Sequence, residues 1–526
     1  MRGTWPVHPV LLAVFPILFL WAENVGETEP GEVVVPLAMA AAVAILGFLV
    51  LRAVLRDGRR AALLVSLGVL GFLLFGHVEN ALRPLRITEG RLLLGWAVAG
   101  AVAALFILRT RRDLGSATVL ANVVGAVLVV NSLATVGFHE LSEARSGVPA
   151  SSVAPSPVAS PAPSSAASPA PAASQRDVYY LVVEDYGSAR TIDQYHGLED
   201  DGFFAWLEQS GFTVLPDTRS NYGRTPLSLA SSLNMTYLDE VAAQYGPEFG
   251  GYAPISRMVR DPAVGRFLKD RGYTFIQLGS QYTLTASSDL ADINPRFRLT
   301  SDFQAVLYET TILPAIATRL GIEDGRDGRQ VNYEAIRWQL AQFPDLAALP
   351  GPKFVFFHTF LPHHPFVVDA EGDYVPRSVE LTRSKQERYQ TQWSFIHREM
   401  RTLIERLLAV PEAERPIIVF TTDEGPNPEG MPTVGGDIAW GKATTEELDQ
   451  KFSIFAAYLL PGVDPAEAGI YPTMSSVNSF RVVLNSYFGT ELPLLSDRNF
   501  IHRDKHHPYD LTEVTDRLDA LAAGRS

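Results

Sequence analysis

The stretch Val178-Tyr-Tyr-Leu-Val-Val-Glu-Asp-Tyr-Gly187 decides the reading of this chain. Its first six residues are apolar, β-branched or aromatic without alternation, as expected of a short strand covered on both faces. Two carboxylates, Glu184 and Asp185, follow at its carboxyl end. Further on, Tyr273–Leu278, Lys353–Phe357 and Pro416–Phe420 read as strands of the same kind, and Asp201–Gly211, Pro262–Asp270 and Tyr389–Leu408 as helices between them. Helices feeding short apolar strands predict an α/β domain with a mainly parallel central sheet. Ligands of such sheets bind beyond the carboxyl ends of the strands. After Phe420 come Thr421, Thr422, Asp423, Glu424 and Gly425, and after Phe357 come His358, His363 and His364. Two acidic pairs delivered by separate strands repel unless a cation lies between them, which predicts a metal site. Turn and cap carboxylates are the plainer alternative.

Ser220–Met235, SNYGRTPLSLASSLNM, places Thr225 and Pro226 at the start of an Ala/Ser/Leu helix. Thr225 is either its N-cap or a nucleophile in the field of a helix N-terminus, with Arg224 beside it. A neutral threonine needs activation, which the carboxylate cluster could supply through a metal.

Upstream the texture is different. Residues 1–145 hold five apolar runs, Val7–Ala22, Val33–Leu51, Ala61–Val78, Leu92–Leu108 and Ala117–Phe138, each near the ~20 residues a membrane helix needs. Five runs with short joints exclude a lone cleaved signal peptide. The joint Arg52–Arg60 carries four arginines and Arg109–Arg112 three, Glu23–Glu32 carries four glutamates and no arginine, and Gly76–Arg91 is mixed, with Arg83, Arg86 and Arg91. This asymmetry predicts a cytoplasmic N-terminus and an extracytoplasmic location for everything after Phe138, in a multi-pass protein of the plasma membrane. Residues 146–175 are uncharged, with seven prolines among Ala and Ser, a spacer whose reach is at most on the order of 90 Å. The expected domains are 1–145, five transmembrane helices; 146–176, the linker; and 177–526, the catalytic domain.

The chain's net charge of −14 divides as +2 over 1–145 and −16 beyond 175. An acidic outer domain argues against nucleic acid as a partner. The absence of cysteine removes disulfides, thiolate metal sites and cysteine nucleophiles.

Four blocks, VYYLVVEDYG, SNYGRTPLSLASSLNM, HTFLPHHPF and IIVFTTDEGPNP, stand in an order that resembles the alkaline phosphatase superfamily in its sulfatase-like branch. Behind five apolar runs the chain looks like lipoteichoic acid synthases, phosphoglycerol transferases and lipid A phosphoethanolamine transferases. The closing stretch SVNSFRVVLNSYFGTELPLLSDRNF is similar to the tail of a membrane-anchored subgroup. The resemblance implies that Glu184 and Asp423 are metal ligands, that Thr225 is both nucleophile and ligand, and that His363 contacts the substrate phosphate or donates a proton. It implies a transferase moving a phospho-headgroup from a membrane lipid to a glycan or lipid acceptor, with a phosphodiesterase or phosphatase as the alternative. Arg224 and His364 are candidate phosphate contacts, and His358, Asp185, His502, His506 and His507 weaker ones. The family pattern Asp-His-Gly is here Asp423-Glu424-Gly425, so Glu424 is expected to replace a nitrogen ligand. The resulting all-oxygen set favours Mn or Mg over Zn. A sulfatase needs Cys or Ser in a Cys/Ser-x-Pro-x-Arg signature, which the segment around Thr225 lacks, so sulfuric ester hydrolysis is disfavoured. A non-catalytic binding module and a transporter are the remaining rivals; the nearly uncharged apolar runs offer a transporter no ion path.

Overall fold

The computed structural model describes residues 5–25, 28, 30–82, 89–145, 176–198, 202–297, 302–320, 328–431, 433–434 and 437–525. The expected Pro-rich spacer falls outside them. The chain divides into two compact units: residues 1–145 with 300–331, and 146–299 with 332–526. The sequence reading placed 300–331 in the catalytic domain; the structure groups it with the apolar helices.

The first unit contains α1 (His8–Glu23), α2 (Pro30–Leu55), α3 (Gly58–Leu73), α4 (Phe75–Leu82), α5 (Glu89–Arg109) and α6 (Gly115–Arg145). Three helices, Pro30–Leu55, Gly90–Arg109 and Gly115–Phe138, are long and apolar enough to cross a membrane. Their outward residues are bare valine, leucine and phenylalanine, such as Val43, Leu46, Val102 and Val127, a surface that calls for hydrocarbon rather than water. The protein is therefore integral to a membrane. The expected third span, Ala61–Val78, is not one helix. It breaks at Leu74, where the carbonyl of Phe72 accepts from the backbone N–H of Ile312 (2.9 Å). That carbonyl would serve the N–H of Gly76 in an unbroken helix.

Polar contacts fix the order of helix ends. The Asn122 side chain accepts from the N–H groups of Val7 and His8 (3.0 and 2.9 Å) and donates to the Trp5 carbonyl (2.9 Å), satisfying orphan donors at the start of α1. The start of α6 thus lies beside the start of α1. Arg60 at the start of α3 donates to Thr110 O after α5 (3.0 Å), and Arg59 pairs with Asp113 (2.5 Å).

The second unit is built on a six-stranded sheet: β1 (Val178–Val183), β2 (Thr213–Arg219), β3 (Thr274–Leu278), β4 (Lys353–Thr359), β5 (Ile417–Thr422) and, after the short pair β6 (Thr433–Val434) and β7 (Asp437–Ile438), β8 (Ser453–Leu459). The order is β2-β8-β5-β1-β4-β3. β3, β4, β1 and β5 are mutually parallel, and β8 runs against both β5 and β2. The sheet is mainly parallel, as expected.

Alternate residues supply two cores. Val178, Tyr180, Val182, Phe354, Phe356, Ile417 and Val419 face the helix Thr225–Asn234 through Leu227, Leu229 and Leu233. Tyr179, Leu181, Val183, Val355, Phe357, Ile418 and Phe420 face the helix Lys385–Leu408 through Trp393, Ile396 and Met400. Each strand is covered on both sides, the physical reason for its continuous apolar sequence.

Candidate active site

Register brings the first functional side chains together. On β1, Val182 lies opposite His358 of β4 and Thr421 of β5. Glu184 and Asp423 each follow two residues later, so Glu184, His358 and Asp423 share one face at the carboxyl edge of three adjacent strands. That is the face covered by the Thr225–Asn234 helix. Among the described residues these three form the one group with metal-ligand spacing, their donor atoms all within 4.8 Å of one another and all buried.

Thr225 completes the group. Arg224, not Thr225, holds the N-cap position, and no side chain caps the helix. The Thr225 hydroxyl instead donates to Glu184 Oε1 at 2.6 Å. The other oxygen, Glu184 Oε2, is 2.7 Å from His358 Nε2. The two are close without the alignment of a hydrogen bond, since both atoms lack a hydrogen-bond partner, as does Asp423 Oδ2. Buried polar atoms that converge without partners suit the coordination of a cation. His358 is aimed from behind: its Nδ1 meets Thr285 Oγ1 at 3.0 Å, which in turn meets Ser280 Oγ at 2.7 Å. Such an outer partner fixes the tautomer of a ligating imidazole. The residues fit a divalent metal, with one nitrogen and three oxygen donors.

Glu424 stands elsewhere than expected. Its Oε1 is 2.9 Å from Lys451 Nζ, which also lies 3.6 Å from Asp185 Oδ1. Lys451 is buried just ahead of β8. Because β8 runs against β5, its beginning shares the edge where the parallel strands end. The approach is tight: the N–H of Gly425 donates to Lys451 O at 2.8 Å, and a Cβ at Gly425 would lie 2.5 Å from Gln450 O. The expectation of an all-oxygen set used Glu424 as a ligand. In the structure Glu424 lies against the Lys451 ammonium, and the nitrogen of His358 lies with the carboxylates of Glu184 and Asp423.

Burial pushes Glu184 and Asp423 each up to about 8, reinforced by the neighbouring carboxylates Asp185 and Glu184 respectively. Glu424 is raised by burial, with Asp423, Glu184 and Asp185 adding to it. Burial presses on Lys451 too, but Glu424, Asp185 and Asp423 outweigh it and its ammonium is held more tightly than usual. Four carboxyls and one ammonium cannot all be ionised without a further cation, so protons are held in its stead.

Of the other expected residues, Arg224 is half-buried with its guanidinium 5.1 Å from the Tyr252 ring centre. His363 is half-buried between Phe360 (4.5 Å between ring centres) and His364 (4.0 Å), while His364 is exposed. His363 Nδ1 meets the His364 carbonyl, and burial lowers its pKa to about 4 against the pull of Asp185. At neutral pH it is an uncharged imidazole. With Nδ1–H given to that carbonyl, Nε2 is the basic nitrogen. His507 pairs with Asp504 (2.7 Å) and His502 is buried in a separate strand. Lys451 precedes its strand rather than following it; an antiparallel strand delivers its preceding residue to the edge where the parallel strands end.

No family model and no curated protein matches this chain. Solved structures do. The integral membrane lipooligosaccharide phosphoethanolamine transferase A from Neisseria meningitidis is 13% identical, with 91% of this chain and 94% of that one covered and a TM-score of 0.39. The C-terminal periplasmic domain of EcEptC from Escherichia coli is 14% identical over 65% of this chain and 92% of that one, TM-score 0.39. BT1596, a 2-O GAG sulfatase, is 10% identical over 60% and 71%, TM-score 0.36. These are among the groups the four sequence blocks resemble.

Proposed function

We propose that this protein is a membrane-anchored, metal-dependent phosphotransferase that moves a phospho-headgroup, such as phosphoethanolamine or phosphoglycerol, from a lipid to a cell-envelope acceptor through a phospho-threonine at Thr225. The observation that carries the reading is the Thr225 hydroxyl, turned away from capping its helix and given to Glu184 at 2.6 Å inside the unsatisfied Glu184–His358–Asp423 group. A divalent ion held there supplies positive charge that acidifies the threonine and stabilises phosphoryl oxygens. Its mixed nitrogen and oxygen donors favour zinc or manganese over magnesium or calcium.

The chain's residues then divide the work. Thr225 Oγ1 attacks phosphorus and its proton passes to Glu184. The phosphorus–oxygen bond to the lipid alcohol breaks, and the leaving alkoxide takes its proton from solvent water. An acceptor hydroxyl, its proton taken by neutral His363 at Nε2 and released to solvent, attacks the phospho-threonine and frees Oγ1, which recovers its proton from Glu184. Arg224 is placed beside the nucleophile to hold phosphoryl oxygens. With water as acceptor the same steps give a phosphodiesterase.

The extracytoplasmic placement is part of this proposal. Arg52, Arg56, Arg59, Arg60, Arg109, Arg111 and Arg112 belong to the joints between α2 and α3 and between α5 and α6, one end of an alternating bundle. The positive-inside rule makes that end cytoplasmic. The parallel placement of α1 beside α6 supports five traverses, with 16-residue α1 and α3 as the short ones.

The test is intact-mass analysis of the full chain after incubation with phosphatidylethanolamine or phosphatidylglycerol vesicles. An adduct of phosphoethanolamine or phosphoglycerol mass on Thr225 is expected, removed on adding a glycan acceptor. Turnover by Thr225→Ala at a rate near that of the unaltered protein would overturn the scheme.

A further inference from the structure

Residues 302–320 lie between strands of the α/β unit in sequence, yet they fold with the apolar helices. They form two short helices, Asp302–Thr310 and Leu313–Leu320. Only three charged side chains occur among them, Asp302, Glu309 and Arg319. Phe303 is buried with Ile17, Leu20 and Val33, the end of α1 and the beginning of α2. Glu309 O approaches Gly76 so closely that a Cβ there would sit 2.2 Å away, and Ile312 N–H is bound to Phe72 O at the end of α3. Buried Ala315 belongs to the second short helix, which packs on α5. The pair thus occupies the bundle end where α1 and α3 finish and α2 and α5 begin, away from the arginine-rich end.

The outward side is apolar. Val306 is 48% exposed and Leu320 65%, and Leu313 and Ile316 stand with Leu320 at the spacing of one helical face. This stripe continues the bare apolar faces of α2 (Val34, Val35) and α5 (Leu94, Val98). The four side chains of the stripe are uncharged, although Glu309 and Arg319 are exposed elsewhere on the pair, and an apolar stripe continuous with lipid-facing helices and fastened by main-chain contacts suits acyl chains.

We infer that residues 302–320 form a second membrane-embedded element, seated in the leaflet at the bundle end opposite the Arg52–Arg60 and Arg109–Arg112 joints, with Val306, Leu313, Ile316 and Leu320 in contact with lipid. The chain passes between the two units at 145/146, 299/300 and 331/332. The α/β unit is then joined to membrane-embedded chain at three points, and the Pro-rich spacer is not its sole tether. The inference rests on the helical bundle crossing the bilayer, which the experiment tests separately.

The absence of cysteine makes the experiment direct. Val306→Cys and Leu320→Cys in the full chain, labelled with an environment-sensitive fluorophore and placed in phosphatidylethanolamine–phosphatidylglycerol vesicles, each carry a single probe. Val102→Cys in α5 is the lipid reference and Glu412→Cys, in the α/β unit, the water reference. Brominated lipid is expected to quench the 306 and 320 probes as it does 102, and aqueous iodide several-fold less than it does 412. Iodide quenching equal to that at 412 overturns the inference. So does protection from both quenchers, the result if a second copy or another protein covers the stripe. Failure of brominated lipid to quench the 102 probe would instead refute the spanning bundle.

Discussion

Lys451→Met is the most informative single substitution. The ammonium lies 2.9 Å from Glu424 and 3.6 Å from Asp185, all three buried. At an effective dielectric of about 20 these attractions are roughly 6 and 5 kcal/mol. They oppose desolvation penalties of several kcal/mol per ion, so the intact arrangement is close to neutral in net stability. Removing the lysine alone is not neutral, because the carboxylates remain. The expected loss is about 3–5 kcal/mol, the cost of leaving a buried charge unpaired. For a unit of this size that is a fall in Tm of roughly 4–7 °C. Methionine keeps most of the volume, so the loss is electrostatic. Differential scanning fluorimetry of the chelator-treated full chain in detergent gives the measurement. The double variant Glu424→Gln, Lys451→Met removes both charges and should recover most of the loss. A single variant as stable as the parent, or a double variant no better than the single, would refute the reasoning.

Thr225→Ala should lower turnover by several orders of magnitude, as loss of a nucleophile does, and cost only about 1 kcal/mol of stability for its hydrogen bond; product assays and melting curves check the two halves. His358→Ala should weaken metal binding more than Glu424→Gln, and Thr285→Val, which removes the partner at Nδ1, should weaken it by about 10–100-fold; chelator competition ranks the three, and Glu424→Gln as the worst would return Glu424 to the ligand set. Glu184 and Asp423, pushed up to about 8, bind protons in the folded metal-free protein where the unfolded chain has released them. Stability of the metal-free protein should therefore fall as pH rises from about 4 to about 8 and level off above, while metal affinity should rise across the same window with proton release; melting curves and calorimetry in buffers of different ionisation enthalpy follow both.

Much of the α/β unit was legible because its strands are covered on both faces. The apolar run Val178–Val183 coincides with β1, and the runs at β3, β4 and β5 match the strands within one or two residues at each end. β2, TVLPDTR, has mixed burial and a register shift between Leu215 and Thr218, so it carries no continuous apolar run. β8, SIFAAYL, is fully buried but its small alanines give a weak strand signal. The helix Lys385–Leu408 begins four residues before the expected Tyr389, at a Ser384–Glu387 capping box, a local signal that was present but not used. In the site, Glu184, Thr225 and Asp423 were legible as strand-end and helix-start residues. The precedence of His358 over Glu424 depended on register, and the position of Lys451 on the reversed direction of β8; neither is a property of local sequence. The position of 302–320 is likewise a tertiary fact, since short amphipathic helices look alike whether they cover a sheet or lie against a membrane bundle.

The exchange of Glu424 for the histidine usual in the resembled pattern follows from charge. With every group ionised the four carboxylates and Lys451 sum to −3, which protons offset in the metal-free protein and which a divalent ion would bring to −1. Had Glu424 joined the ligands with no ammonium beside it, the loaded site would stand at −2 and repel a phosphodiester. Lys451 offsets the charge that Glu424 adds, and the nitrogen of His358 lies beside Glu184 and Asp423. Buried Glu424 is thus stabilised as a carboxylate by Lys451. The dependence runs both ways: Glu424→His in the presence of Lys451 should place two cationic or neutral groups together, weaken the melting temperature, and leave metal affinity near the parent value. If that variant instead bound metal much more tightly, residue 424 would be a ligand position after all and His358 a supporting residue.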